Sequence, residues 1–269
     1  MPTDTSAERV RQLLERGELE VEGQLTDASN VALRVWVSLD DDRIPAVYKP
    51  VRGERPLWDF PDGTLAGREV ASYLIAEAGG WDCIPVTALR QDGPLGPGSV
   101  QQWVGALDER DDPDLLRIDP PTAVPDGYRP VLGVRDEADS PLVVSHAASD
   151  ALRAVALLDV VLNNADRKGS ALIVDDGRLY AVDHGLTLHA EDKLRTVLWG
   201  FAGDDFEAGD LDRLKRLHDV LEGPFGAQLS AVIQPDEVEA LQARVESLIR
   251  TGRFPAPPEH RHPLPWPLW

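Results

Sequence analysis

The change in apolar periodicity near residue 105 constrains the fold of this chain more than any other feature of its sequence. Before that point, short runs with period-two alternation are separated by polar turns, a pattern typical of strands. The predicted strands are 19–25, 31–39, 44–50, 84–90 and 98–104. One helix, 64–78, is predicted between the third and fourth strands, and a short amphipathic helix at 6–16 precedes the first strand.

Helical patterns dominate the second part of the chain. A strongly apolar helix begins at Ser149, and further helices are predicted at 207–222 and 236–250. Between them, two short strands flank a tight turn at Asp175-Asp176-Gly177. A strand-rich part followed by a helical part predicts an α+β fold of two lobes, with a ligand cleft where the lobes meet.

Composition shifts divide the chain into four predicted segments. Residues 1–104 form the strand-rich N-lobe, and residues 146–254 form the helical C-lobe. Residues 105–145 are rich in Asp and Pro and show little periodicity, which predicts a hinge, linker and partly ordered insertion. Residues 255–269 form a tail interrupted by prolines.

Charge and cysteine content exclude several classes of protein. The chain has 27 Lys and Arg residues against 47 Asp and Glu, a formal charge of -20 that disfavours nucleic acid and anionic membrane as partners. The single cysteine, Cys83, excludes an intramolecular disulfide framework and a cysteine-rich zinc site. No apolar stretch approaches the roughly 18 residues of a membrane helix, and the first residues lack a signal-peptide core. We therefore expect a cytoplasmic protein with no stable membrane association.

Four residues carry a chemical pattern. Lys49 ends the third predicted strand, Glu69 lies in the helix of the strand-rich part, and Asp166 and Asp183 bracket the small hairpin. Phosphoryl transfer from ATP needs such a set: a lysine on the phosphates, a glutamate that aims it, a carboxylate for the acceptor hydroxyl and a carboxylate for magnesium. Taken singly, each residue also fits a surface or turn position. Their order and element types together favour a kinase.

A family resemblance follows from the second half of the pattern. The run Asn164-Ala165-Asp166-Arg167-Lys168, followed by Val182-Asp183-His184-Gly185, resembles the catalytic and magnesium loops of the phosphatidylinositol 3-/4-kinase-like superfamily. In that superfamily Asp-Arg-His replaces the His-Arg-Asp of ordinary protein kinases. The resemblance covers residues 19–205. Within the superfamily, the stretch from Leu162 to Phe201 is similar to an actinobacterial branch. It implies a two-lobed protein-kinase-like fold, with a small antiparallel-sheet N-lobe and a short helical C-lobe.

The resemblance assigns roles to the four residues. It implies that Lys49 contacts phosphate and pairs with Glu69, that Asp166 is the catalytic aspartate, and that Asp183 is the magnesium ligand. Lys168 is an additional cation beside the catalytic loop. It either stabilises the transferred charge or is simply exposed to solvent.

The resemblance also implies an ATP pocket, with ATP and Mg²⁺ as cofactors. No Gly-x-Gly-x-x-Gly loop is present, so the turn at 26–30 replaces it, with Ser29 and Asn30 as donors to phosphate. Residues 100–104 correspond to the hinge strand beside adenine. Its expected contacts come from Gln102, Trp103 and Val104.

One position departs from the family pattern. The superfamily places a second metal ligand, commonly Asn, five residues after the catalytic aspartate, and this chain has Ala171 there. A methyl group cannot bind a cation. Ser170 or Asn164 is the alternative ligand, although a hydroxyl or amide binds magnesium more weakly than a carboxylate. Weak activity, a one-metal mechanism and a pseudokinase therefore all stay open.

The favoured function is Mg-ATP-dependent phosphoryl transfer to a hydroxyl of a protein or small molecule. A phosphoinositide acceptor is disfavoured, because such enzymes reach anionic lipid through a basic surface and this chain has a charge of -20. The first alternative is a nucleotide-binding regulator on the same fold. The second is an acidic interaction protein in which the Asp and Glu residues are only surface.

Overall fold

A computed structural model describes residues 6–25, 30–61, 63–106 and 114–269 of the chain. Its helices are α1 (Ala7–Arg16), α2 (Leu65–Gly79), α3 (Asp150–Leu162), α4 (Ala208–Leu221), α5 (Pro224–Leu229) and α6 (Pro235–Thr251). Its strands are β1 (Glu18–Gln24), β2 (Leu33–Leu39), β3 (Asp42–Pro50), β4 (Thr87–Gly93), β5 (Gly96–Gln102), β6 (Leu116–Asp119), β7 (Tyr128–Arg135), β8 (Pro141–Ala147), β9 (Leu172–Asp175) and β10 (Arg178–Ala181). Within the described ranges, no helix combines the length and the hydropathy that a bilayer crossing requires.

A five-stranded antiparallel sheet in the order β1-β2-β3-β5-β4 forms the N-lobe. Side chains on a strand alternate between the two faces of the sheet. Ile44, Ala46 and Tyr48 of β3 are accordingly buried on one face. Lys49, the next residue, faces the other side, where α2 packs.

Helix α2 is held at both ends and along its length. Glu54 accepts hydrogen bonds from the first N–H groups of the helix, at Leu65 (3.1 Å) and Ala66 (2.9 Å). Its side chain therefore satisfies donors that the helix itself leaves unpaired. Gly80 ends the helix in the left-handed region, with φ of 81°. Because a Cβ on Gly67 would lie 2.3 Å from the carbonyl oxygen of Val232, only glycine allows α2 to approach this part of the C-lobe so closely.

A buried cation joins α2 to the C-lobe. Arg68 is 0% exposed, donates to the carbonyl oxygen of Thr187 at 2.6 Å and pairs with Glu237 of α6. Ser72, one turn further along, shares a 2.9 Å hydrogen bond with the Thr187 hydroxyl. These contacts fix the position of α2 relative to the C-lobe, and therefore the position of Glu69.

The C-lobe is built around α3, whose residues from Val155 to Leu162 are all buried. A helix buried on nearly all sides matches this stretch, in which Asp159 is the one charged residue. The helix ends at Asn163, which has φ of 52°. The β9–β10 hairpin follows the loop 164–171, and Val182 and Asp183 follow the hairpin, as predicted.

The segment at 105–145 corrects one prediction. We predicted a hinge, linker and partly ordered insertion without strands, but β6, β7 and β8 form a three-stranded antiparallel sheet in the order β6-β8-β7. Its contacts are distant in sequence: His146 of β8 accepts from the backbone N–H of Gly200 at 3.1 Å, and Arg129 of β7 donates to the carbonyl oxygen of Gly200. The short helix α5 was also not predicted.

Candidate active site

Lys49 contacts one acidic residue from each lobe. Its ammonium donates to Oε1 of Glu69 on α2 and lies 3.0 Å from Oδ1 of Asp183, which follows β10. Burial disfavours the charged lysine, but the charges of Asp183 and Glu69 outweigh this and raise the pKa of Lys49. Three of the predicted site residues are therefore in direct contact, and the lysine stays positively charged.

Asp183 is aimed into the cleft by its backbone. Its φ of 61° lies in the left-handed region, which a residue with a Cβ rarely adopts. Its side chain is 67% exposed, and the Lys49 ammonium holds the pKa of its carboxyl below the usual value. Asp183 is thus an ionised carboxylate whose side chain is largely exposed in the cleft.

Asp166 lies in the loop that precedes β9, and its carboxylate pairs with Lys168. Its backbone N–H donates to Oδ1 of Asn164 at 3.0 Å, and one of its carboxylate oxygens lies 2.9 Å from the Lys168 ammonium. Burial raises the pKa of the Asp166 carboxyl, while the hydrogen bond and charge of Lys168 lower it. The result is a half-buried carboxylate that is more basic than a surface aspartate.

A buried network that the sequence did not reveal supports both loops. Asp159 of α3, fully buried, accepts from the Arg167 guanidinium (3.0 Å), the Asn164 amide (2.9 Å) and the Thr196 hydroxyl (3.0 Å). Arg167 also donates to Nε2 of His184 at 2.7 Å. One aspartate thus fixes the residues on either side of Asp166 and, through Arg167, the residue after Asp183.

His184 is held neutral in this network. Burial, with a smaller contribution from the positive Arg167, places its pKa well below the usual value. Within the described part of the chain, its buried Nδ1 has no hydrogen-bond partner. Its backbone N–H donates to Oε2 of Glu69 at 3.0 Å, which ties the loop after β10 to α2.

Residues of the segment 192–199 pair with the loop 164–171 through their backbones. The N–H of Arg195 donates to the carbonyl oxygen of Asn164 at 2.8 Å, and the N–H of Arg167 donates to that of Arg195 at 3.0 Å. The pair brackets Asp166 in sequence, so Arg195 lies beside the proposed catalytic aspartate. No local sequence pattern marks this cation, because its proximity to Asp166 arises only from the fold.

Ala171 occupies the position at which the family pattern places a second metal ligand. Ala171 is buried, and its carbonyl oxygen accepts from Arg167. Asn164, one proposed substitute, donates through its amide to Asp159 and accepts from the backbone N–H of Asp166, while Ser170, the other, is exposed. Across the described ranges, no group of three or more His, Cys, Asp or Glu side chains could hold a metal ion by itself.

The expected adenine site lies along the end of β5. Gln102, Trp103 and Val104 are each half-buried, and the indole of Trp103 donates to the carbonyl oxygen of Gly105 at 3.0 Å. Among the described residues, no hydrogen bond engages the backbone N–H of Val104. A Cβ on Gly105, whose φ is 84°, would lie 3.1 Å from Ile173, so this glycine brings the hinge against β9.

The predicted phosphate-binding turn is only partly visible. Ser29 lies outside the described residues. Asn30 is described, and its Oδ1 accepts from the backbone N–H of Arg55 at 2.8 Å. Its side chain therefore joins the turn to the loop after β3.

Comparison with known proteins gives one close relative. The chain is 45% identical over 264 residues to Protein Rv2133c of Mycobacterium tuberculosis (strain ATCC 25618 / H37Rv), across 96% of this chain and 94% of the relative. No protein-family model matches the chain.

Comparison with solved structures identifies the fold. A structure of hydra Fam20 with sugar superposes with a TM-score of 0.53 and 12% identity, over 93% of this chain and 90% of that one. The Helicobacter pylori proinflammatory kinase CtkA gives a TM-score of 0.43 and 10% identity, over 89% and 94% of the two chains. The likeness to Fam20 shows a protein-kinase-like fold and no more, which confirms the predicted fold class. The narrower resemblance to the phosphatidylinositol 3-/4-kinase-like superfamily stays a prediction.

Proposed function

We propose that this chain, which belongs to the same family as Protein Rv2133c of Mycobacterium tuberculosis, is a phosphotransferase that moves the γ-phosphoryl group of ATP to a hydroxyl. The acceptor class that we favour is a protein or a small molecule.

The contact of Lys49 with both Glu69 and Asp183 carries this proposal. In kinases the lysine–glutamate pair and the metal-binding aspartate must both be in place for transfer. Here the Lys49 ammonium contacts both Glu69 and Asp183. The ion pair of Arg68 with Glu237 holds α2 in the position that allows this contact. A protein whose acidic residues were only surface would not need to hold this partly buried lysine between a helix carboxylate and a loop carboxylate.

The transfer step assigns distinct tasks to Asp166 and Lys168. The acceptor oxygen forms a bond to the γ-phosphorus as the bond from that phosphorus to the β–γ bridging oxygen breaks, and ADP leaves with the bridging oxygen. The hydroxyl proton passes to the Asp166 carboxylate, whose burial favours proton uptake. Lys168, 2.9 Å from that carboxylate, places a positive charge beside the transferred group.

Magnesium fits the donor set as a partly protein-bound ion. Asp183 would hold it with an exposed, ionised carboxylate, and the hard oxygen donor suits this cation. Because Ala171 offers no ligand, phosphate oxygens and water would complete the coordination, which is common for magnesium. When bound, the ion offsets negative charge on the phosphates.

A nucleotide-binding pseudokinase is the second candidate. Ala171 supports it, and so does Asn164, whose amide is committed to Asp159 and to the loop backbone. Both candidates require ATP binding, and only the first requires turnover.

The test is a titration of the purified protein with ATP, with and without magnesium. The two measured quantities are the melting temperature and the rate of ADP release. A binder raises its melting temperature with ligand concentration. We expect stabilisation by ATP that magnesium strengthens, and slow ADP release that Lys49→Met abolishes. Stabilisation without any ADP release would favour the pseudokinase. No stabilisation in either condition would refute both candidates.

A further inference from the structure

Residues 261–269, here called the C-terminal strap, run across the two segments that frame Asp166. The first contact is with the segment 192–199. Arg261 donates to the carbonyl oxygen of Leu194 and to the carboxylate of Asp192, both at 2.6 Å. Leu264 is 5% exposed and joins the main hydrophobic core.

Pro263 extends this contact through its carbonyl oxygen. It accepts from the backbone N–H of Thr196 at 3.2 Å and from the indole N–H of Trp199 at 2.8 Å. Thr196 is the residue whose hydroxyl bonds to the buried Asp159. The first half of the strap is therefore bound to the network that supports the catalytic loop.

The second half reaches the catalytic loop itself. The backbone N–H of Gly169 donates to the carbonyl oxygen of Leu268 at 2.8 Å. A Cβ on Gly169 would lie only 3.1 Å from Cδ1 and Nε1 of Trp269, so the indole packs directly on this glycine. Leu116 of β6 approaches the same point, at 3.4 Å.

These contacts place Lys168 between two anchors. Arg167, on one side, is held by Asp159, and Gly169, on the other, is held by Leu268 and Trp269. The lysine side chain extends from this fixed backbone to Asp166. Movement of Gly169 would move Lys168 and loosen its contact with the catalytic carboxylate.

We propose that Leu268 and Trp269 are positioning residues, which hold Lys168 against Asp166 for the transfer step. This inference rests on the proposed phosphotransferase function. It distinguishes the strap from the nucleotide site, because among the described residues Lys49, Glu69 and Asp183 form no hydrogen bond or ion pair with the strap.

Trp266, in the same strap, provides a control for the substitution of Trp269. Trp266 is 84% exposed and Trp269 is 39% exposed, so Trp266→Ala removes the same side chain from the same segment without touching Gly169. Deletion of residues 266–269 removes both Leu268 and Trp269 but keeps the contacts of Arg261, Pro263 and Leu264. Trp269→Phe restores a ring on Gly169.

The experiment compares these variants in ADP release at saturating Mg-ATP, in Mg-ATP affinity and in hydrogen exchange across residues 166–171. Displacement of a reacting group costs on the order of 10- to 100-fold in rate. We expect a loss of that size in Trp269→Ala and in the deletion variant, with unchanged Mg-ATP affinity and faster exchange at residues 166–171. Trp269→Phe should recover most of the rate, and Trp266→Ala should match the wild type.

Two outcomes would overturn the inference. One is wild-type turnover and exchange in the deletion variant. The other is an equal loss in Trp266→Ala, which would indicate a general effect on the tail. If the wild type binds Mg-ATP but releases no ADP, the proposed function fails, and the exchange measurement alone then decides whether the strap holds the loop.

Discussion

Glu69 and His184 are joined by a 3.0 Å hydrogen bond from the histidine backbone N–H to Oε2 of the glutamate. The other oxygen of the same carboxylate accepts from Lys49. Glu69 thus contacts both Lys49 of the N-lobe and the loop after β10 of the C-lobe, so that a displacement of α2 would disturb both.

This shared carboxylate predicts non-additive mutations. Lys49→Ala and Glu69→Ala should each weaken Mg-ATP binding, and the double variant should lose less than the sum, because residues in contact couple by about 0.5–3 kcal/mol. Calorimetric titration of the four proteins measures the coupling. Glu77→Ala removes an exposed glutamate of the same helix that pairs with Arg11, so it is the matched control and should bind normally. Strict additivity would show that Lys49 and Glu69 act separately.

The buried pair of Asp159 and Arg167 should be costly to break. Both side chains are 0% exposed, so Arg167→Met leaves a buried carboxylate uncompensated, which typically costs about 3–5 kcal/mol. Urea unfolding measures the loss. The exposed pair of Arg253 and Asp205 provides the comparison, and Arg253→Met there should cost no more than about 1 kcal/mol. Similar losses in both variants would contradict the supporting role of Asp159.

The rate of ADP release should fall in acid as Asp166 takes up a proton. Lys168 lowers the pKa of this carboxyl, so its removal raises that pKa. We therefore expect Lys168→Met to move the acid limb of the rate profile to higher pH, besides reducing the maximum rate. Lys215→Met, on the exposed face of α4, should leave the limb in place. An unchanged limb in Lys168→Met would remove Asp166 as the titrating group.

Stability should fall in acid because of His184. Its pKa is lowered from 6.5 in the folded chain, so below that pH the unfolded chain binds more protons. The free energy of unfolding then decreases as the pH falls, by at most about 1.4 kcal/mol per pH unit for one group. His184→Gln removes this group but keeps an acceptor for Arg167. Urea unfolding between pH 5 and pH 7, about the range in which histidine titrates, should give a shallower slope for the variant, and equal slopes would contradict the assignment.

The sequence predicted the parts of the site that lie on regular elements. Lys49 on a strand, Glu69 on a helix and Asp183 after a hairpin could each be placed, because local periodicity marks those elements. The sheet of β6, β7 and β8 could not, since its anchoring contact joins His146 to Gly200 across the chain. No local pattern reports such a contact.

The supporting network had one sequence signal that could have revealed it. Asp159 is the one charged residue in the apolar stretch 154–162 of α3, and such residues are almost never fully buried without a partner. Its partners Arg167 and Thr196 could not be identified, because they come from loops whose approach depends on the whole C-lobe. The contact of Trp269 with Gly169 could not be predicted either, because the prolines leave the tail without a periodic pattern.

The separate roles of Asp166 and Asp183 are the central claim, and the Mg-ATP affinities of the two Asp→Asn variants test it most directly. Asp183→Asn should weaken Mg-ATP binding itself, because Asp183 is the open carboxylate beside Lys49. Asp166→Asn should bind Mg-ATP like the wild type while ADP release falls by roughly 10²- to 10⁴-fold, the usual contribution of a general base. Melting temperatures of both variants verify folding. Equal Mg-ATP affinities in the two variants, with unchanged melting, would contradict the account.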